Sequence, residues 1–87
     1  MIVANELAFS PQTVAVAAGT PFGLVLVNRE GAPHNVTILD ARGVEQFVGE
    51  VFGGPGWRTY AVPALAAGAH GFRCDVHPTM TGTLVVG

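Results

Sequence analysis

The chain contains no lysine and only one cysteine. With Cys74 alone, no intrachain disulfide can brace the fold, and a free thiol in an oxidising space calls for an explanation such as metal ligation. Charged residues are 11% of the 87, against about 25% in an ordinary globular domain. The four basic residues are all arginine (Arg29, Arg42, Arg58 and Arg73) and the net charge is −2. Nothing in that balance attracts nucleic acid or an anionic membrane. Hydrophobic residues reach 49%, yet no apolar run approaches the ~18 residues of a membrane-spanning helix. No basic segment followed by an apolar core marks an export signal at the N-terminus. Met1-Ile2-Val3 reads as a domain trimmed from a longer protein, whose export signal, lipid anchor or further domains would lie outside it. A chain this short buries only roughly 60–65% of the surface its unfolded form exposes, so a bound metal would add useful stability by mass action.

What is present is β throughout. Short Val-, Leu-, Phe- and Thr-rich segments alternate with Gly, Pro, Asn and Asp punctuation, the pattern of a sandwich or barrel. Strands are predicted near Ile2–Leu7, Thr13–Val16, Phe22–Asn28, Asn35–Leu39, Glu45–Gly49, Trp57–Val62, His70–Cys74 and Gly82–Val86. Breaks fall at Ser10-Pro11, Ala18 to Pro21, Arg29 to Gly31, Ala41 to Gly43, Gly53 to Gly56 and Ala67-Gly68. No stretch of ten or more residues carries a helical stripe, and Pro63 and Gly68 confine Ala64–Ala67 to one turn of helix at most. The expected fold is one all-β domain over residues 1–87, a small antiparallel two-sheet sandwich of about seven or eight strands.

The chemistry concentrates in Cys74-Asp75-Val76-His77-Pro78-Thr79-Met80. This run holds the only cysteine and the only methionine besides Met1. Taken singly, each residue has an ordinary reading: a buried small hydrophobe, a loop histidine, a core filler. Together, thiolate, imidazole and thioether make a soft site that favours copper, and His34 upstream offers a second imidazole. Two His, one Cys and a weak axial Met are the ligand set of a blue-copper electron-transfer centre. Pro78 disfavours helical geometry at His77, so a loop curling round one point is expected. Strand alternation puts His70, Phe72 and Cys74 on one face. His70 lies about 13 Å along the strand from Cys74, too far for the same metal, and is read as structural. Asn35 is placed to hydrogen-bond across to the ligand loop and hold the two ligand segments together. Trp57 and Tyr60 read as ordinary sandwich aromatics. The Gly53–Gly56 turn lacks the Lys-Ser/Thr ending of a phosphate loop.

These residues resemble the cupredoxin family of type 1 copper proteins. Pro33-His34-Asn35 is similar to the family's first-histidine segment. Gly71-Phe72-Arg73-Cys74, continuing through His77-Pro78-Thr79-Met80-Thr81-Gly82, is similar to its C-terminal ligand loop in a short form. The resemblance implies a Greek-key sandwich holding one copper through His34, Cys74, His77 and Met80 and cycling between Cu(II) and Cu(I). It implies a one-electron carrier that meets a redox partner protein through His77 at the surface, ringed by Ala32, Pro33, Val76 and Pro78. A periplasmic or other extracytoplasmic setting and a monomer are expected with it. The chain is shorter than many family members and lacks the charged patch that often selects a partner. An enzyme is disfavoured: Met80 fills the axial position, Arg73 and Asp75 rather than histidines flank Cys74, and a binuclear centre would need a second cysteine. Copper carriage or sensing, or a module of a larger membrane-anchored or redox protein, is the alternative, since fold and ligands do not fix function by themselves. Zinc would leave Met80 unused.

Overall fold

The computed structural model describes residues 1–87 as eleven strands and no helix. They are β1 (Ile2–Asn5), β2 (Ala8–Ser10), β3 (Thr13–Val16), β4 (Phe22–Asn28), β5 (Pro33–His34), β6 (Thr37–Leu39), β7 (Glu45–Val48), β8 (Phe52–Gly53), β9 (Gly56–Val62), β10 (Gly68–Arg73) and β11 (Thr81–Val86). Without helices, no helix is long and apolar enough to cross a membrane. One sheet runs β2-β1-β4-β9, the second β3-β11-β10-β6-β7, and β5 and β8 form a two-stranded ribbon.

The all-β sandwich expected from the sequence is what forms, with more and shorter strands than the seven or eight expected. Two departures have local causes. The first predicted strand folds back on itself at Glu6-Leu7, both with positive φ (55° and 56°), giving a two-residue hairpin that pairs β1 with β2. That turn type favours Asn-Gly, so Glu6-Leu7 carries no turn signature in the sequence. The predicted strand Asn35–Leu39 divides because His34 pairs with Phe52 in the ribbon while Thr37 and Ile38 pair with Arg73 and Phe72 in the second sheet. Asn35 and Val36 are the buried step between them. The sheets are also mixed rather than wholly antiparallel. β1 runs parallel to β4 and β3 runs parallel to β11, because the chain crosses from the first sheet to the second between β2 and β3.

Alternation supplies the core. Ile2 and Ala4, Leu24 and Leu26, His70, Phe72 and Cys74, and Leu84 and Val86 all point between the sheets. Each fully buried aliphatic or aromatic side chain contributes about 1.5–3 kcal/mol. Phe72 packs against Phe9, with ring centroids 5.3 Å apart, and lies flat over Gly82. A Cβ at Gly82 would stand 2.2 Å from the Phe72 ring, so only glycine fits where β11 leaves the ligand loop. Trp57 departs from the expected sandwich role: it is 63% exposed, on the outer face of the first sheet, whereas Tyr60 is buried.

Candidate metal centre

His34, Cys74 and His77 come from two segments forty residues apart and converge at one end of the sandwich. Their candidate donor atoms all lie within 4.8 Å of one another. Cys74 Sγ is 3.7 Å from His34 Nδ1 and 3.8 Å from His77 Nδ1. A first-row metal ion bound at about 2.3 Å to sulfur and about 2.0 Å to nitrogen, with angles near 120°, would separate those donors by about 3.7 Å. The spacing therefore suits a shared ion in a trigonal set. The imidazoles face each other with centroids 5.0 Å apart at 53°. His34 and Cys74 are fully buried, and His77 is half-buried at the surface. His70 is buried away from this cluster, its Nδ1 against the Gly68 carbonyl at 3.3 Å, as the sequence spacing required.

The loop that carries three of the four candidates closes on itself. The Met80 N–H donates to the His77 carbonyl at 2.8 Å and the Cys74 N–H donates to the Met80 carbonyl at 3.0 Å. His77 to Met80 is thus a four-residue turn with Pro78 in its second position, where the fixed φ of proline is favoured. Met80 is buried in the core beside Cys74 rather than filling a surface loop. β10 and β11 hold the two ends of this loop in register, Arg73 opposite Thr81.

Asn35 spans the two ligand segments, as its place after His34 suggested. Its carbonyl accepts the Asp75 N–H at 2.8 Å, and its amide donates to Asp75 Oδ2 at 3.1 Å and to the Gly49 carbonyl at 3.0 Å. Thr37 donates its hydroxyl to the same carboxylate oxygen at 2.8 Å, and Arg73 Nε donates to Asp75 Oδ1 at 3.2 Å. Burial alone would raise the Asp75 carboxyl, but the hydrogen bonds from Thr37 and Asn35 and the Arg73 charge outweigh it and hold it below the ordinary carboxylate range. Asp75 therefore stays ionised and pins Cys74 from the next position in the chain.

Glu30 is the residue that sequence reasoning missed. Its Oε2 lies 2.5 Å from His34 Nε2. That contact fixes the tautomer: with Nε2–H given to the carboxylate, Nδ1 presents its lone pair toward Cys74. The hydrogen bond with His34 is the chief reason that Glu30 is held below the usual carboxylate range, helped by the Leu7 N–H and opposed by partial burial. Extended, Glu30 and His34 would stand about 13 Å apart. Asn28 brings them together: its side chain accepts the Glu30 N–H at 2.9 Å and donates to the carbonyls of Ala32 at 2.9 Å and Phe52 at 3.1 Å. Gly54 completes this knot, since a Cβ there would meet the Glu30 carbonyl at 2.5 Å. The only available signal was the turn chemistry of Asn28 to Gly31. No buried polar side-chain atom here or elsewhere lacks a partner.

His34, Cys74, His77 and Met80 are thus arranged as a copper site. Comparison with known proteins agrees with the geometry. A family model described as a cupredoxin-like domain matches residues 1–86. A search of curated protein sequences returns no match. Among solved structures, auracyanin A, a "blue" copper protein from the green thermophilic photosynthetic bacterium Chloroflexus aurantiacus, superposes with a TM-score of 0.86 at 20% identity, covering 99% of this chain and 95% of that one. Dithionite-reduced auracyanin from Roseiflexus castenholzii gives 0.85 at 19% identity, covering 99% and 94%. The reduced Cu(I) form of an amicyanin point mutant gives 0.74 at 22% identity, covering 99% and 79%. At these identities the likeness is one of fold.

Proposed function

Since the chain belongs to the cupredoxin-like family, we propose that it is a type 1 (blue) copper protein, a single domain that carries one electron at a time between redox partners and does so outside the cytoplasm. The observation that carries this reading is the convergence of Cys74 Sγ on two Nδ1 atoms at 3.7 and 3.8 Å, a donor set of soft thiolate and imidazole with Met80 buried next to it. One copper bound by His34, Cys74, His77 and Met80 supplies the Cu(II)/Cu(I) couple. The protein's part is to keep those donors still. Asn35, Thr37 and Arg73 clamp Asp75 and with it the thiolate; Glu30 orients His34; the turn at Pro78 sets His77. Held this way, the donors need little rearrangement when the electron arrives or leaves.

His77 reaches the surface while the other candidates are buried, so it is the shortest route for the electron. Val76 and Pro78, both exposed, are its neighbours in the chain, and exposed Pro33 and half-buried Ala32 precede His34, whose ring centroid lies 5.0 Å from that of His77. This uncharged rim suits a brief encounter with a partner protein. The two hollows on the molecule are lined by residues of other regions.

The test is to add Cu(II) to the metal-free protein and record the visible spectrum. One equivalent should bind and give an intense thiolate-to-copper band, and Cys74→Ser should abolish it while the far-ultraviolet circular dichroism is retained. A pale stoichiometric complex, or a coloured serine variant, overturns the assignment. Rapid exchange of electrons with small redox agents, with copper held through many cycles, separates a carrier from a copper donor.

A further inference from the structure

We propose, against the monomer expected from the family resemblance, that the outer edge of β9 is a self-association surface, through which two copies of this chain pair antiparallel about a two-fold axis at Thr59. β9 pairs only with β4, so its other edge has no strand partner, although its Trp57 carbonyl accepts from Arg58 Nη1 at 3.0 Å. Proteins usually blunt such edges with short strands, charged side chains (lysines above all, and charges pointing inward), prolines or bulges. Of the other edge strands in the two main sheets, β2 has three residues, β3 four, and β7 four with a register irregularity against β6. β9 has seven residues, with no proline or bulge, and Arg58, opposite the inward-facing Leu26, is its single charged side chain.

Shape selects the register. On the outer face of this sheet Trp57 stands out, 63% exposed, among Val25, Val27, Thr59 and Ala61, with no charged side chain on that face. A shallow hollow of 380 Å³ lies on the strand's other half, floored by Gly23 and Ala61. Four residues separate Trp57 from Ala61, about 13 Å, so the indole cannot fill its own hollow. An antiparallel copy centred on Thr59 sets Trp57 directly opposite the partner's Ala61 and places the indole over that hollow, twice by symmetry.

Charge agrees with the same register. Arg58, stacked 4.6 Å over its own Phe52 ring and bonded only to the Trp57 carbonyl at 3.0 Å, has no carboxylate partner, and the exposed Glu50 has no cation. The Glu50 carbonyl holds the Tyr60 hydroxyl at 2.6 Å. In the pair, Arg58 lies across from the partner's Tyr60 and beside the partner's Glu50, forming two opposite-charge contacts. The strands run in opposite directions, so the His77 ends point away from each other and stay open. The contact is at the small end of specific interfaces, so the dimer is concentration-dependent.

Sedimentation velocity of the full chain from micromolar to millimolar concentration tests this. A monomer–dimer equilibrium is expected, with the emission of Trp57, the only tryptophan, moving to shorter wavelength as dimer forms. Thr59→Lys sets two ammonium groups face to face on the axis and should weaken association roughly tenfold or more; Trp57→Ala should weaken it too. Both side chains are exposed, so circular dichroism should be unchanged. A monomer at all concentrations overturns the proposal. So does a dimer whose Trp57 emission stays constant, or one that folded Thr59→Lys protein forms equally well.

Discussion

The two ends of the sandwich are closed by different chemistry. At the end where β10 begins, the plug is apolar: Leu65, Val62 and Val86 are buried, and backbone bonds such as Gly19 N–H to the Leu65 carbonyl at 3.0 Å tie the loops down. At the end where β10 finishes, the buried side chains include Asn28, His34, Asn35 and Thr37, held by hydrogen bonds to one another's segments, to Glu30 and to Asp75. The first end is made by exclusion of water, which tolerates approximate fit. The second is made by directed bonds, each with a fixed partner, and a missing partner leaves a buried polar group unsatisfied. Donor geometry is thus set at the polar end, while apolar burial runs the length of the sandwich.

The comparison can be broken most forcefully at the apolar end. Leu65→Ala should lower unfolding free energy by about 2–5 kcal/mol, the range for a buried leucine truncated in place, and leave the copper spectrum unchanged in the folded fraction. Chemical denaturation and visible absorption read both quantities; a shifted spectrum would show the two ends to be coupled. At the polar end, Asn35→Ala removes the clamp on Asp75 and should cost about 1–3 kcal/mol, with copper affinity falling roughly 10–100-fold. Competition with a chelator measures the second effect, and an unchanged affinity would reduce Asn35 to a purely structural role.

Smaller effects sharpen the contrast. Glu30→Gln keeps a hydrogen-bonding side chain beside His34 Nε2 and removes the charge. It should change stability little, while raising the reduction potential, because the lost anion stabilised the more positive copper state. Voltammetry decides; an unchanged potential would limit Glu30 to orienting the ring. Tyr60 gives the mildest probe. Burial first, and then the Glu50 charge, push its phenol from 10.0 up to about 12. The folded state therefore keeps a proton that the unfolded chain gives up, so the stability is present below pH 10 and is lost as pH rises toward 12. Tyr60→Phe should remove that alkaline slope, at about 1 kcal/mol for the lost bond to the Glu50 carbonyl. Denaturation midpoints across that window, alongside phenolate absorption, check it.

The legible parts of this chain were those governed by local pattern. β3 and β4 match their predicted spans residue for residue, because apolar alternation and flanking turn residues act within a few positions. Cys74, His77 and Met80 were legible because two rare residue types coincide in seven positions. β5 and β8 were not legible, since two-residue strands exist only through their mutual pairing. Trp57 was misread because alternation tells which residues share a face, not which face the second sheet covers. Glu30 was invisible for a related reason: its closeness to His34 depends on how Asn28 folds the intervening turn against Phe52.

The sequence by itself determined that this is an all-β chain with a soft donor set, because strand period, turn residues and ligand chemistry are properties of residues and their near neighbours. Only the tertiary structure decided that His34 Nδ1 and Cys74 Sγ stand 3.7 Å apart, that a carboxylate backs the buried imidazole, and that His77 is the donor left at the surface. The first is a distance between segments forty residues apart in the chain, the second a contact set by how the intervening turn folds, and both are fixed by the pairing of β5 with β8, of β6 with β10, and by the hydrogen bonds of Asn28 and Asn35.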